Sequence, residues 1–575
     1  MEIMTNADKI LNKYFGYDEF RPGQREVIES ILSGRNTVAI FHTGGGKSIC
    51  YQIPALMFNG TTIVISPLIS LMKDQVDELL MRNISSTFIS STLSDKEISI
   101  RLDNIKKGMY KIVYIAPERF YSDDFINALS YIHIPFVAID EAHCISQWGH
   151  NFRPAYLKIK DFISAIGSPV VAAFTATANH KVQKDIIRFL GMEKCRLYIA
   201  SFDRPNLTFK VEHPEDEGLF ILKYIKKHIK KPGIIYAATR ANVEKVYIML
   251  LERGIKVGMY HGGMDGVARN ATQEAFLSGK TKVMVATSAF GMGINKEDVR
   301  YIIHYNMPKS IEDYYQEAGR AGRDGKSAEC ILLYSPNDYN INRYLIESNY
   351  PPLKLVERVY NRIYNRGGVG IPMPFLVRSF NISPNLVESA IKKLVEYDYI
   401  QIKGGVAYDI NKGQFDLTQD DIDTHRQIEL DKLDKIQEYC MTDECLRVFI
   451  LKYFNEKPDF KKCNNCSSCG VMPNKEEQFL VENLLDDILG VADESSKPDI
   501  DTKLLSKLKR LRKRIAKRQG QDAHAVLEDD ILKDIAAIKP TSKRQLAKVV
   551  GFTSDKMKIY GEELLQEVHR YLKGC

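Results

Sequence analysis

Long hydrophobic runs are missing from this chain. None reaches the roughly 18 consecutive apolar residues that a membrane-spanning helix needs, so no span through a bilayer is expected. The start, Met1-Glu2-Ile3-Met4-Thr5-Asn6-Ala7-Asp8-Lys9, lacks the basic stretch and apolar core of a secretory signal. The expected compartment is the cytoplasm. Tryptophan is nearly absent: Trp148 is the single one in 575 residues. Cysteine is sparse and unevenly spread. Of ten, four fall between Cys445 and Cys469, while Cys50, Cys144, Cys195, Cys330, Cys440 and Cys575 are scattered. In a reducing compartment, clustered thiols point to a metal and scattered ones to packing. Net charge is small, +7, which neither demands nor excludes a nucleic-acid partner. What remains is ordinary: 44% apolar and 27% charged residues describe folded protein, and the length suggests about four domains.

The chain is organised around His42-Thr43-Gly44-Gly45-Gly46-Lys47-Ser48. An apolar run, Thr37-Val38-Ala39-Ile40-Phe41, precedes it as a predicted buried strand, and a helix is expected to start just after. Strand, glycine loop and helix start form a phosphate cradle, because glycines let backbone N–H groups close around the anion. Lys47 would reach the outer phosphates of ATP and Ser48 would ligate Mg²⁺. Phe41 stands where the strict eight-residue pattern wants glycine. Upstream, Gln24 has the amide to read an adenine edge, and Tyr17 and Arg21 have flat faces to stack on the base.

A second anchor is Phe136-Val137-Ala138-Ile139-Asp140-Glu141-Ala142-His143. A predicted strand delivers two adjacent carboxylates. Asp140 is expected in the Mg²⁺ shell, Glu141 on the attacking water, and His143 as a sensor of the γ-phosphate. The loop that follows holds Trp148, Phe152, Arg153 and Tyr156. Aromatics beside an arginine suit stacked bases and a phosphate of single-stranded DNA. Thr175 and Thr177 follow a further strand as hydrogen-bond switches.

A strand–helix alternation restarts near Asn206. Its loops, around Tyr260-His261-Gly262-Gly263 and Ser288 to Asn295, have small residues that admit a sugar–phosphate backbone. The third anchor, Tyr314 to Gly325, contributes Gln316, Arg320 and Arg323. The two arginines are expected on one helical face, opposite the phosphate loop, where they would neutralise the transferring phosphoryl group.

These motifs resemble the RecQ family of DNA helicases, in superfamily two. The resemblance implies two RecA-like lobes, ATP-driven 3′-to-5′ movement on single-stranded DNA with strand separation, and a Trp148 loop that couples DNA to hydrolysis. It also implies roles in recombination, repair and replication. Family members usually carry Asp at Asn151 and Pro at His42, and this chain departs from both.

Beyond the motor, helical spacing followed by Tyr399 to Ile410 alternating around Gly404-Gly405 suggests a winged-helix-like unit. In the better-known RecQ arrangement such a unit follows the zinc module; here it precedes it. A strand-separating wedge and a plain packing module both remain open for it. Cys445, Cys463, Cys466 and Cys469 give four thiolates, the donor set of a closed structural zinc site. Cys440 is a neighbouring alternative to Cys445, which is preferred. After a polar stretch, Ala492 to Asp499, a very basic amphipathic helix carries Lys509, Arg510, Arg512 and Lys513. This segment is similar to an HRDC domain, which implies auxiliary contact with single-stranded or junction DNA and salt-dependent affinity.

The expected fold is therefore α/β: two tandem RecA-like lobes, a winged-helix-like unit, a four-cysteine zinc module and a small all-α HRDC-like bundle. The expected boundaries are 1–205, 206–345, 346–415, 416–475, a linker at 476–500, and 501–575. Expected cofactors are ATP, Mg²⁺ and Zn²⁺. Expected partners are single-stranded and branched DNA and a single-stranded-DNA-binding protein, with the chain acting as a monomer. Readings of another class are an ATP-driven DNA scaffold, translocase or annealing factor, and an RNA helicase.

Overall fold

The short apolar runs that break at proline, glycine or acid become the strands of two parallel sheets. In the computed structural model the described residues are 2–149, 152–291, 296–410, 415–470, 501–519, 526–546 and 554–573. The expected linker at 476–500 and the family departure at Asn151 lie outside them. The chain divides into two units, Met1–Met472 and Pro473–Cys575.

The first lobe is a seven-stranded sheet. Its strands are β1 (Thr37–Ile40), β2 (Thr62–Ile65), β3 (Ser86–Ile89), β4 (Ile112–Ile115), β5 (Phe136–Ile139), β6 (Val170–Thr175) and β7 (Arg196–Ile199). They lie in the order β3-β4-β2-β5-β6-β1-β7, and every pairing is parallel. Strands β1, β2, β4 and β5 are buried at every position, because helices cover both faces. That explains why they read as unbroken apolar runs rather than as alternation.

The second lobe repeats the plan with six strands: β8 (Leu207–Glu212), β9 (Gly233–Tyr236), β10 (Val257–Tyr260), β11 (Val283–Ala286), β12 (Tyr301–His304) and β13 (Ala328–Leu333). Their order is β10-β11-β9-β12-β13-β8, again all parallel. Open parallel sheets present their ligand-binding loops at the carboxyl ends of the strands. In the first lobe, β1 and β5 lead directly into the glycine loop and into Asp140-Glu141.

Residues 353–409 form helix Leu353–Tyr364, β14 (Ile371–Pro372), helix Met373–Arg378, helix Pro384–Glu396, β15 (Ile400–Lys403) and β16 (Val406–Asp409). The strands make a small antiparallel sheet in the order β14-β16-β15. That is the winged-helix arrangement, with the Gly404-Gly405 turn as its tip; both glycines have positive φ. A long helix, Gln419–Met441, opens on a Thr418–Asp421 capping box and leads to Leu446–Tyr453 and the cysteines.

In the C-terminal unit the described residues form the helices Thr502–Gln519, Asp529–Ile538, Lys543–Leu546 and Ser554–Lys573. Leu504, Leu508, Leu511 and Ile515 line one face of its first helix. They pack on Leu532, Ile535, Leu564 and Val568. Between them Arg510 and Lys513 are exposed, while Arg512 is buried.

Candidate active site at the seam of the two lobes

The phosphate loop closes between β1 and helix Lys47–Met57. Gly44 and Gly46 both sit at positive φ, +82° and +81°. A side chain at Gly46 would be strained by that backbone and would also meet the Gln24 amide, 2.3 Å from its Cβ position. Gln24, expected at the adenine edge, uses its amide on the loop itself. Its Oε1 accepts from the Arg21 N–H at 2.9 Å and its Nε2 donates to the Gly46 carbonyl at 3.0 Å. Arg21 Nη1 donates to the Gly44 carbonyl at 2.5 Å.

Opposite stands the turn that follows helix Ile311–Ala318. The expectation of two arginines on one helical face is corrected here. The helix ends at Ala318, and Arg320 and Arg323 stand on the turns beyond Gly319. Gly322, at φ +55°, keeps the chain out of a helix. The consequence for the site is unchanged, because the turn faces the loop. A Cβ on Gly44 would lie 3.1 Å from Arg323 Cγ, and one on Gly319 would lie 2.9 Å from Thr43 Cβ. Arg320 Nη1 donates to the Gly291 carbonyl.

Between these walls lies a cavity of about 310 Å³. Tyr17, Arg21, Gln24, Thr43, Gly44, Gly46, Lys47 and Ser48 line one side; Asp140, Glu141, Gln316, Arg320 and Arg323 complete it. Gly45 and His143 are predicted site residues that do not line it. Five cations line it, Arg21, Lys47, Arg82, Arg320 and Arg323, together with five acids, Glu19, Glu78, Asp140, Glu141 and Glu297. Burial, with the Arg320 charge beside it, pushes Arg323 down to about 9. Burial also pushes His42 down to about 4, and the Arg204, Lys47 and Arg21 charges add to that shift. Where Lys47, Arg320 and Arg323 face one another across the phosphate loop, a polyanion would relieve that crowding of positive charge.

The two carboxylates sit at the end of β5. Asp140 Oδ1 accepts from the Glu141 N–H at 3.0 Å, and Tyr156 donates to the Asp140 carbonyl at 3.0 Å. Burial and the Glu141 charge push Asp140 up to about 7. A divalent cation bound there would reverse that balance. Glu141 takes a left-handed φ of +48°, uncommon for a residue other than glycine. Behind it His143 is buried, with Nδ1 2.8 Å from Thr175 Oγ1 and 3.3 Å from Glu141 Oε2. Burial opposes its protonated form, but Cys144 and Glu141 outweigh that and push His143 up to about 10. Thr175 in turn donates to the Thr177 carbonyl at 3.2 Å.

Four family models match consecutive parts of the chain: DEAD/DEAH box helicase over 21–186, helicase conserved C-terminal domain over 218–325, RecQ zinc-binding over 407–470 and HRDC domain over 501–568. The ATP-dependent DNA helicase RecQ of Bacillus subtilis is 38% identical over 99% of this chain and 100% of its own length. The chain belongs to the RecQ family. The RecQ of Pasteurella multocida is 42% identical over 62% of this chain and 56% of its own length, and an Arabidopsis thaliana Q-like helicase is 40% identical over 58% and 49%.

The RecQ zinc-binding segment holds the expected thiols. Cys445, Cys463, Cys466 and Cys469 place their sulfurs all within 4.8 Å of one another, while Cys440 is not among them. Four sulfurs at that spacing fit a tetrahedral Zn²⁺ with no open position. Among the described residues no cysteine forms a disulfide.

The aromatic loop of this RecQ chain is built onto the catalytic strand end. A Cβ on Gly149 would come 2.3 Å from the His143 carbonyl oxygen, and the Arg153 N–H donates to the Cys144 carbonyl at 2.8 Å. Trp148 is half-buried, with Lys181 Nζ 3.8 Å from its ring centroid. Arg153 pairs with Glu118 at 3.5 Å. Phe152 packs edge-on against His425 at 6.1 Å, and Lys432 Nζ donates to the Gly149 carbonyl at 2.9 Å. Both partners belong to the long helix after the winged unit, which sequence reasoning did not connect to this loop. In the second lobe His261 is buried 3.5 Å from Glu244. The segment from Met292 to Asn295 lies outside the described residues.

In the HRDC unit the structure corrects one assignment. Arg512 is buried, donates to the Leu527 carbonyl at 2.7 Å and pairs with Asp529 at 2.6 Å, so it serves the bundle itself. Lys509 also pairs with Asp529, at 3.2 Å. Arg510 and Lys513 are exposed. Periodicity could not separate these four, because a basic residue at the edge of an apolar face has enough stem to turn inward.

One contributor was missed altogether. Arg204, between the two lobes, reaches into the seam. Nothing in the local pattern Asp203-Arg204-Pro205-Asn206 marks it.

Proposed function

We propose that this chain is an ATP-driven DNA helicase that moves 3′ to 5′ on single-stranded DNA and separates duplex or branched DNA during recombination, repair and replication. The observation that carries the reading is the single cavity shared by Lys47 on one lobe and Arg320 and Arg323 on the other. A triphosphate there ties the lobes together, and hydrolysis removes the tie.

The roles follow from position. The Thr43 to Ser48 loop cradles the phosphates, and Lys47 carries the charge that meets them. Ser48 and Asp140 would hold Mg²⁺, which would offset phosphate charge. Glu141 orients and polarises water. Gln316, Arg320 and Arg323 stabilise the charge that develops on the transferring phosphoryl group. Tyr17, Arg21 and Gln24 border the base. His143 sits behind the carboxylates and on the root of the aromatic loop, so it is suited to pass the state of one to the other. Trp148, Phe152 and Arg153 contact single-stranded DNA; Lys509, Arg510 and Lys513 add salt-sensitive contacts in the HRDC unit. In this reading the working unit is a monomer in the cytoplasm, sharing its strands with a single-stranded-DNA-binding protein.

The test compares ATP turnover with single-stranded DNA and RNA, and strand displacement on duplexes with 3′ or 5′ tails. Stimulation by DNA and displacement from 3′ tails are expected. ATP consumption without displacement from either tail favours a translocase or scaffold; preference for RNA overturns the DNA assignment.

A further inference from the structure

Arg204 is a buried arginine that bonds backbone carbonyls and, through Nε, the Asn206 side-chain oxygen at 3.4 Å, rather than acids. Its Nη1 donates to the Thr43 carbonyl of the phosphate loop at 3.0 Å and to the Gly319 carbonyl at 3.4 Å. Its Nη2 donates to the Ala321 carbonyl at 3.1 Å and the Gly322 carbonyl at 3.0 Å. Among the described residues no carboxylate pairs with it. Burial holds its pKa below the ordinary arginine value. A charge placed there without a counter-ion is costly, and the carbonyl dipoles are what offset that cost.

The partners are informative. One carbonyl belongs to the loop that would hold the phosphates. The other three belong to the turn that bears Arg320 and Arg323. A planar guanidinium can reach both at once; an ammonium cannot reproduce the fork. Arg204 is therefore a crosspiece between the two halves of the seam.

The crosspiece is itself held rigidly. The zinc module grips the segment on both sides of it. Glu456 accepts from Ser201 Oγ at 2.6 Å and from the Phe202 N–H at 2.7 Å. Phe202 stacks on Phe454 with ring centroids 4.4 Å apart. Arg447 Nη2 donates to the Leu207 carbonyl at 2.6 Å, and Asn465 Nδ2 donates to the Pro205 carbonyl at 3.1 Å. From the catalytic side, Tyr315 donates to the Phe202 carbonyl at 2.6 Å. The stem of Arg204 has little freedom to move independently of these elements.

We infer that Arg204 is a positioning residue for phosphoryl transfer: it sets Arg320 and Arg323 in register with the phosphate loop, through backbone carbonyls and without touching the nucleotide. This rests on the proposed ATPase reading.

The test measures steady-state ATP turnover at saturating single-stranded DNA for the full-length protein and for Arg204→Ala and Arg204→Lys. Zinc content and thermal midpoint are recorded for each. Displacing charge-stabilising groups by about an ångström costs about a hundredfold in rate, so kcat is expected to fall by about that factor in Arg204→Ala. KM for ATP is expected to change little. Affinity for ADP with Mg²⁺ and aluminium fluoride, a mimic of the transferring phosphoryl group, is expected to fall in parallel with kcat. Arg204→Lys keeps the stem and charge and is expected to retain zinc and folding but not turnover. It decides the matter if the alanine variant does not fold. A lysine variant with unchanged kcat, or variants whose loss of turnover matches a loss of folded protein, would overturn the inference. If the unaltered protein itself hydrolyses no ATP, the ATPase reading fails instead, so the two failures are distinguishable.

Discussion

Replacing Cys466 by serine should release more than one metal ligand. Cys466 is fully buried and its neighbours bind the second lobe. Asn465 Oδ1 accepts from Thr208 Oγ1 at 2.7 Å, Asn465 Nδ2 donates to the Pro205 and Leu207 carbonyls at 3.1 and 3.2 Å, and Ser467 Oγ accepts from the Val211 N–H at 3.1 Å. At about 1 kcal/mol net for each, those bonds amount to about 4 kcal/mol. The metal is the larger quantity. Apparent zinc affinities of small structural sites correspond to about 10–16 kcal/mol, comparable to the whole stability of a domain, about 5–15 kcal/mol. Loss of one thiolate from four removes enough of that to leave the segment around Cys463 and Cys469 unfixed. Metal analysis of purified Cys466→Ser should therefore give well under one zinc per chain. Its thermal midpoint should drop, and limited proteolysis should cut between the helix Leu446–Tyr453 and the last cysteine. Full zinc occupancy with an unchanged midpoint and unchanged proteolysis would refute the reasoning.

Three further outcomes are expected. Lys47→Ala should abolish ATP turnover while single-stranded DNA affinity, measured by fluorescence anisotropy, stays largely intact; undiminished turnover contradicts the nucleotide site. Trp148→Ala should lower the stimulation of ATP turnover by DNA far more than basal turnover, since Trp148 is half-buried beside Lys181 and close to the catalytic strand end; equal loss of both contradicts a coupling role. His425 is held below its ordinary pKa by burial and by the Lys393 charge, so the folded chain binds that proton less tightly than the unfolded one. The stability it supports is present above about pH 6.5 and is lost as pH falls through the folded value. Thermal midpoints of His425→Gln should fall less on acidification than those of the unaltered protein; parallel curves contradict this.

Much of the motor could be anticipated because its signals are local. A buried parallel strand must be apolar at every position, and a phosphate loop must place glycine where φ is positive. Lys47, Asp140 and the four thiols follow such rules, and each stands where its neighbours in sequence put it. The arginines were expected on one helical face, but the helix ends at Ala318, and Gly319 before Arg320 and Gly322 before Arg323, the latter at positive φ, put them on turns instead. Gln24 shows the opposite limit. Its amide suits adenine and a loop carbonyl equally well, and only the packed loop decides which it meets.

What sequence alone determined was the class of chemistry, since residue type and short-range spacing dictate which groups can bind phosphate, metal or a stacked base. What tertiary structure decided was which distant groups share a bond. Arg204 and Thr43 are 161 positions apart, and Lys432 and Gly149 are 283. Side chains of that reach leave no periodicity behind, because the partner is a backbone carbonyl that every residue possesses. The burial of Arg512 was decided in the same way: a long stem turns toward whichever acceptor the folded bundle offers.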